Sequence, residues 1–467
     1  MVEKNKHYNI EITDVSSDGN GVGQIDGFTV FVPMTVTGDV VEIVVVKVLS
    51  RYAIGRMLNI ITPSPMRKEP ECPVFKRCGG CHLQHIKYEN QLEIKRSFIE
   101  AAMQRIGGFD GFKCDEIIGM EKPERYRNKC IFPIGTDKSG ETVSGFYAKR
   151  SHEIIPVTDC MAGAEINGKI VDAVKEYMAE VNIKPYDEVK HKGLVRRVFV
   201  RDGRNSGEIM VVVSVNGKNI PKREVLIKKL RAVSENIVSI FINVNEKKTN
   251  NVLGEENKLI YGKPEIEDTL CGINFRISPH SFYQINPVQT QTLYGKAVEF
   301  ADLTGKERVI DAYCGIGTIG IIASKGAGEV IGCELNSDAV KDARINAKIN
   351  DIENIKFFCA DAGEFMLSMK ENGEKCDVLF MDPPRAGSDR KFLSSAVHLS
   401  PEKIVYISCN PETQQRDLFY LVKNGYKVKK IQPVDMFPYT NHVETVVLLS
   451  KGVVDKDNFR KVKVEFS

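Results

Sequence analysis

The chain has 467 residues, 42% hydrophobic and 27% charged, with 65 Lys and Arg against 62 Asp and Glu for a net charge of +3. That balance excludes wholesale disorder and fibrous classes, and taken whole it is not the strongly basic profile of a nucleic-acid binder. No apolar run reaches the roughly 18–20 residues that span a bilayer, and the first residues, MVEKNKHYNIEI, lack the apolar core of a secretory signal. A cytoplasmic, non-membrane protein is expected, so the twelve cysteines point to thiol or metal chemistry rather than disulfides.

In chain order, β-rich runs at 8–15, 21–25, 28–32, 40–48 and 52–61 are separated by Gly, Asp and Ser turns. Five short strands in about 55 residues suit a small OB-like barrel over 1–62, and Thr62-Pro63-Ser64-Pro65 reads as a linker. A mixed α+β region over 63–275 follows, with a helix at 89–106 stopped by Gly107-Gly108 and strand-like runs at 195–200 and 209–215. Within it, residues 184–231 hold 13 basic against 5 acidic residues, a net +8 hidden in the whole-chain average. Such a run is either a solvated face or a phosphate-contacting surface. From 276 to 467, apolar strand runs at 308–314, 330–334, 356–360, 378–382, 404–409, 428–434 and 445–449 alternate with helical stretches such as 338–350 and 412–424. That alternation predicts a doubly wound parallel α/β sheet, whose ligands bind beyond the carboxyl ends of its strands.

The strand ends carry the chemistry. Gly315, Gly317 and Gly320 match GxGxxG, with Glu334 about twenty residues on, which alone would permit a nicotinamide dehydrogenase. Asp311 at the loop entrance is an odd neighbour for a pyrophosphate but a tolerable one for a cationic sulfonium. Glu334 suits ribose hydroxyls, and Asp361 can reach an adenine amino group. S-adenosylmethionine needs those partners and no phosphate cradle. The fourth strand ends in Asp382-Pro383-Pro384-Arg385 and the fifth in Ser408-Cys409-Asn410-Pro411, while Glu444 just precedes the last strand. A cysteine and a carboxylate at these places fit one reaction. A thiolate adding to C6 of uracil makes C5 nucleophilic toward a sulfonium methyl group, and a base then removes the C5 proton.

Cys72, Cys78 and Cys81 form C-x5-C-x2-C around Gly79-Gly80, a spacing that reads as metal or iron–sulfur ligation. Zinc is also allowed, and the fourth ligand is open among Cys114, Cys130 and Cys160. Cys271, Cys314, Cys333, Cys359 and Cys376 are expected to be packing residues, together with whichever of Cys114 and Cys130 is no ligand.

The stretches Phe282-Tyr283-Gln284-Ile285-Asn286, 311–317, 382–385, 408–411 and 442–445 resemble the motifs of the bacterial RNA 5-methyluridine methyltransferases, and residues 1–62 resemble that family's N-terminal TRAM domain. The resemblance implies a SAM-dependent enzyme with Cys409 as nucleophile, Glu444 as proton acceptor, and Gln284, Tyr313, Glu334 and Asp382 lining the SAM site, Asp382 also close to the target base. With Asp311, Gly315 and Asp361 from the strand-end reading, these make up the expected cofactor site. It further selects Cys160 as fourth ligand, a [4Fe–4S] cluster, 23S rRNA rather than tRNA, and the packing of helix 89–106 on the catalytic domain. Arg196, Arg197, Arg201 and Arg385 are the expected RNA contacts, and the protein is expected to act as a monomer. A tRNA uracil-5-methyltransferase, cytosine-5 methylation and a non-catalytic iron–sulfur RNA-binding ribosome-assembly factor are the alternative readings.

Overall fold

The computed structural model describes residues 2–452 except 110, 150, 158 and 250; residues 453–467 of the expected catalytic region, and Thr158 beside Cys160, lie outside the described residues. Strands β1 (His7–Val15), β2 (Asn20–Ile25), β3 (Phe28–Pro33), β4 (Val40–Val48) and β5 (Ala53–Thr62) close into a barrel in the order β1-β2-β3-β5-β4. Alternate residues of each strand point inward, so Ile10, Ile12, Val30, Val32, Val41, Ile43 and Val45 fill the interior. In the segment expected as a linker, Thr62, Pro63 and Pro65 are exposed and Ser64 is buried and anchored. Ser64 donates its backbone N–H to Asp39 at 3.0 Å, and Arg67 meets the same carboxylate at 2.7 Å.

The cysteine-bearing loop leads into α1 (Tyr88–Ala102), which continues as a π-helical turn, Met103–Gly107. Gly108, at φ 66°, ends it, so the helix stops where the Gly pair predicts. The sequence expectation that this helix packs on the catalytic domain is met: Ile99 and Met103 share a core with Leu418 and Leu421.

The central region builds a seven-stranded sheet, ordered β12-β11-β10-β9-β6-β7-β8, from β6 (Lys129–Thr136), β7 (Thr142–Tyr147), β8 (Ile154–Pro156), β9 (Val195–Asp202), β10 (Ile209–Val215), β11 (Ile237–Val244) and β12 (Glu256–Gly262). Helices α2 (Ile166–Glu180) and α3 (Arg223–Val233) cover one face. The other face supplies Phe199, Met210 and Phe241 to a core shared with the catalytic domain. The hairpin β13 (Ile266–Leu270) and β14 (Ile273–Ile277) belongs to that shared core, so the expected boundary at 275/276 falls inside β14.

Here the basic segment is reinterpreted. Arg196, Arg197 and Arg201 lie on β9, buried, with Arg201 only 2% exposed. Arg196 donates to the carbonyls of Asn245 (2.6 Å) and Lys247 (2.9 Å) and stacks over Tyr186, while Arg197 donates to the carbonyl of Asn251 at 2.8 Å. Arg201 donates to the carbonyls of Ser278 (2.7 Å) and Ser281 (2.9 Å). The expectation that these three contact RNA is therefore corrected. Guanidinium forks are well suited to gathering loop carbonyls inside a fold, and charge counting cannot distinguish that use from a surface patch.

The catalytic sheet has the order β17-β16-β15-β18-β19-β21-β20. After α4 (Pro287–Ala301), β15 (Arg308–Ala312), β16 (Glu329–Glu334), β17 (Ile355–Cys359), β18 (Val378–Met381) and β19 (Lys403–Ser408) run parallel, and β20 (Tyr426–Val434) and β21 (Glu444–Lys451) form an antiparallel edge. Helices α5 (Thr318–Ala323), α6 (Ser337–Ile349), α7 (Ala362–Glu371), α8 (Arg390–Leu399) and α9 (Pro411–Lys423) connect them. The order of the sheet reverses between β15 and β18, so a ligand crevice opens above their carboxyl ends. Among the described residues no helix is long and apolar enough to cross a membrane. Of the cysteines assigned to packing, Cys114, Cys130, Cys314, Cys333 and Cys376 are buried, Cys271 is half-buried, and Cys359 is exposed at the end of the edge strand β17.

Candidate active site

The loop after β15 is shaped by three glycines with different duties. A side chain at Gly317 would collide with the Phe357 ring at 2.8 Å, and one at Gly320 with the Asp311 carboxylate at 2.9 Å. Gly315, at φ 54°, has open space where its side chain would be. Two glycines serve packing and the third leaves the backbone bare toward the crevice. Glu334, at the end of β16, accepts from the Gly315 and Asn336 amides at 3.2 and 2.8 Å. Asp311 is fully buried, accepts from the Gly320 amide at 2.7 Å through one oxygen, and leaves the other without a partner among the described residues. Burial, opposed by the Gly320 amide and reinforced by Asp382 and Glu334, pushes its carboxyl up to about 7. An orphaned buried acceptor is costly unless a donor or cation arrives, and S-adenosylmethionine supplies both. Asp361 is partly occupied, since it caps α7 by accepting from the Glu364 amide at 2.9 Å. Tyr313, at φ 63°, packs its ring 4.9 Å from Phe392.

On the chemistry side, Asp382, Cys409 and Glu444 converge from β18, β19 and β21. Burial raises Glu444 well above the usual carboxylate range, and Asp382 adds to the rise while Arg385 opposes it. Burial brings Asp382 to about 7. Burial also pushes the Cys409 thiol up to about 11, with Glu444 and Asp382 adding to it and Arg385 counteracting. Cys409 sits in a turn fixed on both sides: Asn410 caps α9 and also donates to the Arg385 carbonyl at 3.1 Å. Arg385 is exposed and its guanidinium contacts the His442 ring at 2.7 Å. Gln284 is buried, its carbonyl accepting from Asn128 at 3.0 Å.

The sequence reading missed Tyr294. This residue of α4 is buried beside Gln284, and its phenol is raised far above its ordinary value by burial and then by Asp382, with smaller effects of Glu444 and Asp311. One tyrosine on a helix, 88 residues from Asp382, gives no sequence signal. His442 did stand inside a quoted motif and was left without a role.

A cleft of about 1690 Å³ opens in front of Cys409. The catalytic domain contributes Cys409, Arg385 and His442, the barrel contributes Asp18, Phe31 and Tyr52, and the central region contributes His82, Tyr147 and Lys149. All three regions of the chain thus border the cleft that Cys409 lines.

The four expected cluster ligands stand together beside this cleft. Burial pushes the Cys81 thiol up to about 12, opposed by the Gln84 hydrogen bond, with Cys160, Cys78 and Cys72 each adding to the rise. Burial chiefly raises Cys72 and Cys78 as well, and Cys160 adds to both. The Gly80 amide donates to the Cys78 sulfur at 3.4 Å and Gln84 to the Cys81 sulfur at 3.3 Å. Among the described residues no three His, Cys, Asp or Glu donors are placed to hold a single metal ion. Cys114 lies instead in the core around α1 and α9.

Comparison with known proteins agrees with this geometry. Residues 87–452 match the tRNA (Uracil-5-)-methyltransferase family and residues 2–58 the TRAM domain. RNA methyltransferases of Clostridium tetani and Halalkalibacterium halodurans, both designated uncharacterized, are 45% and 44% identical, covering 96% of this chain and 97% and 98% of theirs. The crystal structure of the Pyrococcus abyssi tRNA (uracil-54, C5)-methyltransferase in complex with S-adenosyl-L-homocysteine is 29% identical, with a TM-score of 0.76 over 94% of this chain and 99% of that one. The chain therefore belongs to the RNA uracil-5-methyltransferase family, as a SAM-dependent enzyme with an N-terminal TRAM barrel.

Proposed function

We propose that the chain methylates C5 of a uridine in 23S rRNA through a covalent Cys409 adduct, and the observation that carries the mechanism is the placement of Asp382, Cys409 and Glu444 at the ends of the neighbouring strands β18, β19 and β21, with Cys409 lining the cleft. The Cys409 thiolate adds to C6 of a uracil extruded from its stack, since C5 and C6 are hidden in a paired helix. The bond to sulfur moves electron density to C5, which takes the methyl group that the sulfonium of S-adenosylmethionine supplies. Glu444 then accepts the C5 proton. The pair from the C5–H bond re-forms C5=C6, and the C6–S bond breaks to return the Cys409 thiolate.

Asp311, Gly315, Glu334, Asp361, Tyr313 and Gln284 are the residues that would hold the cofactor, with Asp382 between it and the base. A raised carboxyl suits Glu444, because a group that binds its proton tightly is the stronger base once ionised. Cys72, Cys78, Cys81 and Cys160 would hold a [4Fe–4S] cluster, whose contribution when bound is to tie separate stretches of chain together. The cysteine motif is also what favours 23S rRNA. A tRNA substrate is the second reading, favoured by the name of the matching family and of the Pyrococcus abyssi enzyme.

Cys409→Ala should abolish 5-methyluridine formation from SAM and RNA, and Glu444→Gln should trap a protein–RNA adduct stable to SDS. Methylation retained by Cys409→Ala would overturn the mechanism. Mass-spectrometric mapping of 5-methyluridine in rRNA and tRNA from a deletion strain decides between the substrates: loss of a 23S site supports the first reading, and loss of a tRNA site the second.

A further inference from the structure

The connection between β20 and β21 carries Glu444 at its end, and nearly everything that holds it comes from outside the catalytic sheet. Five consecutive carbonyls are each taken by a donor elsewhere. Gln289 donates to Asp435 (3.2 Å), Asn286 to Met436 (3.0 Å), Lys95 to Phe437 (3.0 Å) and Tyr126 to Pro438 (3.3 Å). The fifth, Tyr439, accepts from two consecutive amides, His82 at 2.8 Å and Leu83 at 2.9 Å. Those amides follow directly on Cys81.

Tyr439 is held on its other sides as well. Its N–H donates to the Gln91 side chain at 3.2 Å and its phenol donates to Glu124 at 2.6 Å. Its φ of 65° is a conformation that a bulky residue adopts only under external constraint. Beyond it, Asn441 donates to the Ser17 carbonyl of the barrel at 2.7 Å. All of these bonds run within the chain, and the segment leads directly into β21, whose first residue is Glu444.

We propose that Tyr439 is a positioning residue through which the cysteine loop sets Glu444, so that order in the loop governs removal of the C5 proton rather than methyl transfer. This rests on the reading of Glu444 as the C5 base. The two chemical steps then respond differently to the loop. Cys409 is carried by β19 and α9, neither of which is clasped by the loop, so adduct formation and methyl transfer continue when the clasp loosens. Elimination, in which the C5–H pair re-forms C5=C6 and Cys409 leaves, waits on a carboxylate that is no longer held in place.

The test uses full-length protein in single turnover with RNA and methyl-labelled SAM, following labelled protein–RNA adduct on SDS gels. Gln91→Met removes the acceptor of the Tyr439 amide at similar volume, Cys81→Ser loosens the loop, and Tyr439→Phe removes only the phenol bond and serves as the mildest variant should either of the others fold poorly. Each should form labelled adduct within about 2-fold of the wild-type rate and resolve it at least about 10-fold more slowly for the first two. Hydrogen exchange without RNA or SAM should show faster exchange across 436–444 in those two variants, and no change in β15, β18 or β19. Parallel slowing of formation and resolution, or unchanged exchange across 436–444, overturns the proposal. If Glu444→Gln itself accumulates no adduct, the assignment of the base fails instead, and the exchange result still decides whether the loop and the turn are coupled.

Discussion

Burial and the neighbouring Glu444 and Asp382 carboxylates hold the Cys409 thiol at about 11, so at neutral pH it carries its proton. Each adjacent carboxylate disfavours the thiolate, and removing one must therefore lower the thiol's value. Glu444→Gln should shift the pH midpoint of Cys409 alkylation by iodoacetamide downward while stopping turnover; an unchanged midpoint would show that the two groups do not interact. On the proposed mechanism the same electrostatics should make wild-type turnover rise with pH from neutrality upward, because Cys409 and Glu444 would both have to be ionised at their steps. Much of this was readable from single residues. Cys409 and Glu444 stood at strand termini in recognisable motifs. Tyr294 and the orphaned oxygen of Asp311 became visible only when α4 and the β15 loop were seen against the same crevice.

At the level of elements, α1 is held to the catalytic domain by a pair that sequence periodicity cannot reveal. Lys95 and Asp435, both fully buried, meet at 2.6 Å, and Tyr88 donates to the same carboxylate at 2.7 Å. Desolvation depresses the Lys95 ammonium and Asp435 counters it. Lys95→Met leaves Asp435 buried without its cation and should cost about 3–5 kcal/mol in urea unfolding, part of which Asp435→Asn in the same chain should restore. Arg201 does comparable work for the loop before Gln284. Because it gathers the Ser278 and Ser281 carbonyls, Arg201→Met should weaken SAM binding by about 1–3 kcal/mol in calorimetry; unchanged affinity would separate that loop from the cofactor site. The strands of the barrel and of the catalytic sheet were legible, with most ends within a residue or two, since alternation and periodicity are local properties, whereas β6–β8, β11–β14, α2 and α3 of the mixed central region were not read individually. Their pairing partners are not local, which is why Arg201 read as surface charge.

For the whole molecule, the cleft before Cys409 is bordered by the barrel, the central region and the catalytic domain, and its cations include Lys149 and the exposed Arg385. Lys149→Gln should weaken RNA binding and lower the slope of log affinity against log salt by up to about one, leaving SAM affinity unchanged. Arg196→Glu with Arg197→Glu should instead yield unstable protein, because the reversed charges would face buried carbonyls; folded protein with weakened RNA binding would return those residues to the surface role first expected. The near-neutral total charge is thus compatible with an RNA enzyme for a reason averages hide. Part of the excess positive charge of 184–231 lies inside the fold, while the cleft in front of Cys409 takes Lys149 and Arg385 from other segments.

The sequence by itself determined the class of fold at each stretch, the cysteine spacing, and the residues able to do uracil chemistry, because each depends on neighbours along the chain. Only the tertiary structure decided which charges face solvent, that Ser64 and Arg67 anchor the segment after the barrel on Asp39, and that the cysteine loop grips the turn leading to Glu444. Those depend on which distant segments share a surface, and a one-dimensional pattern carries no record of that.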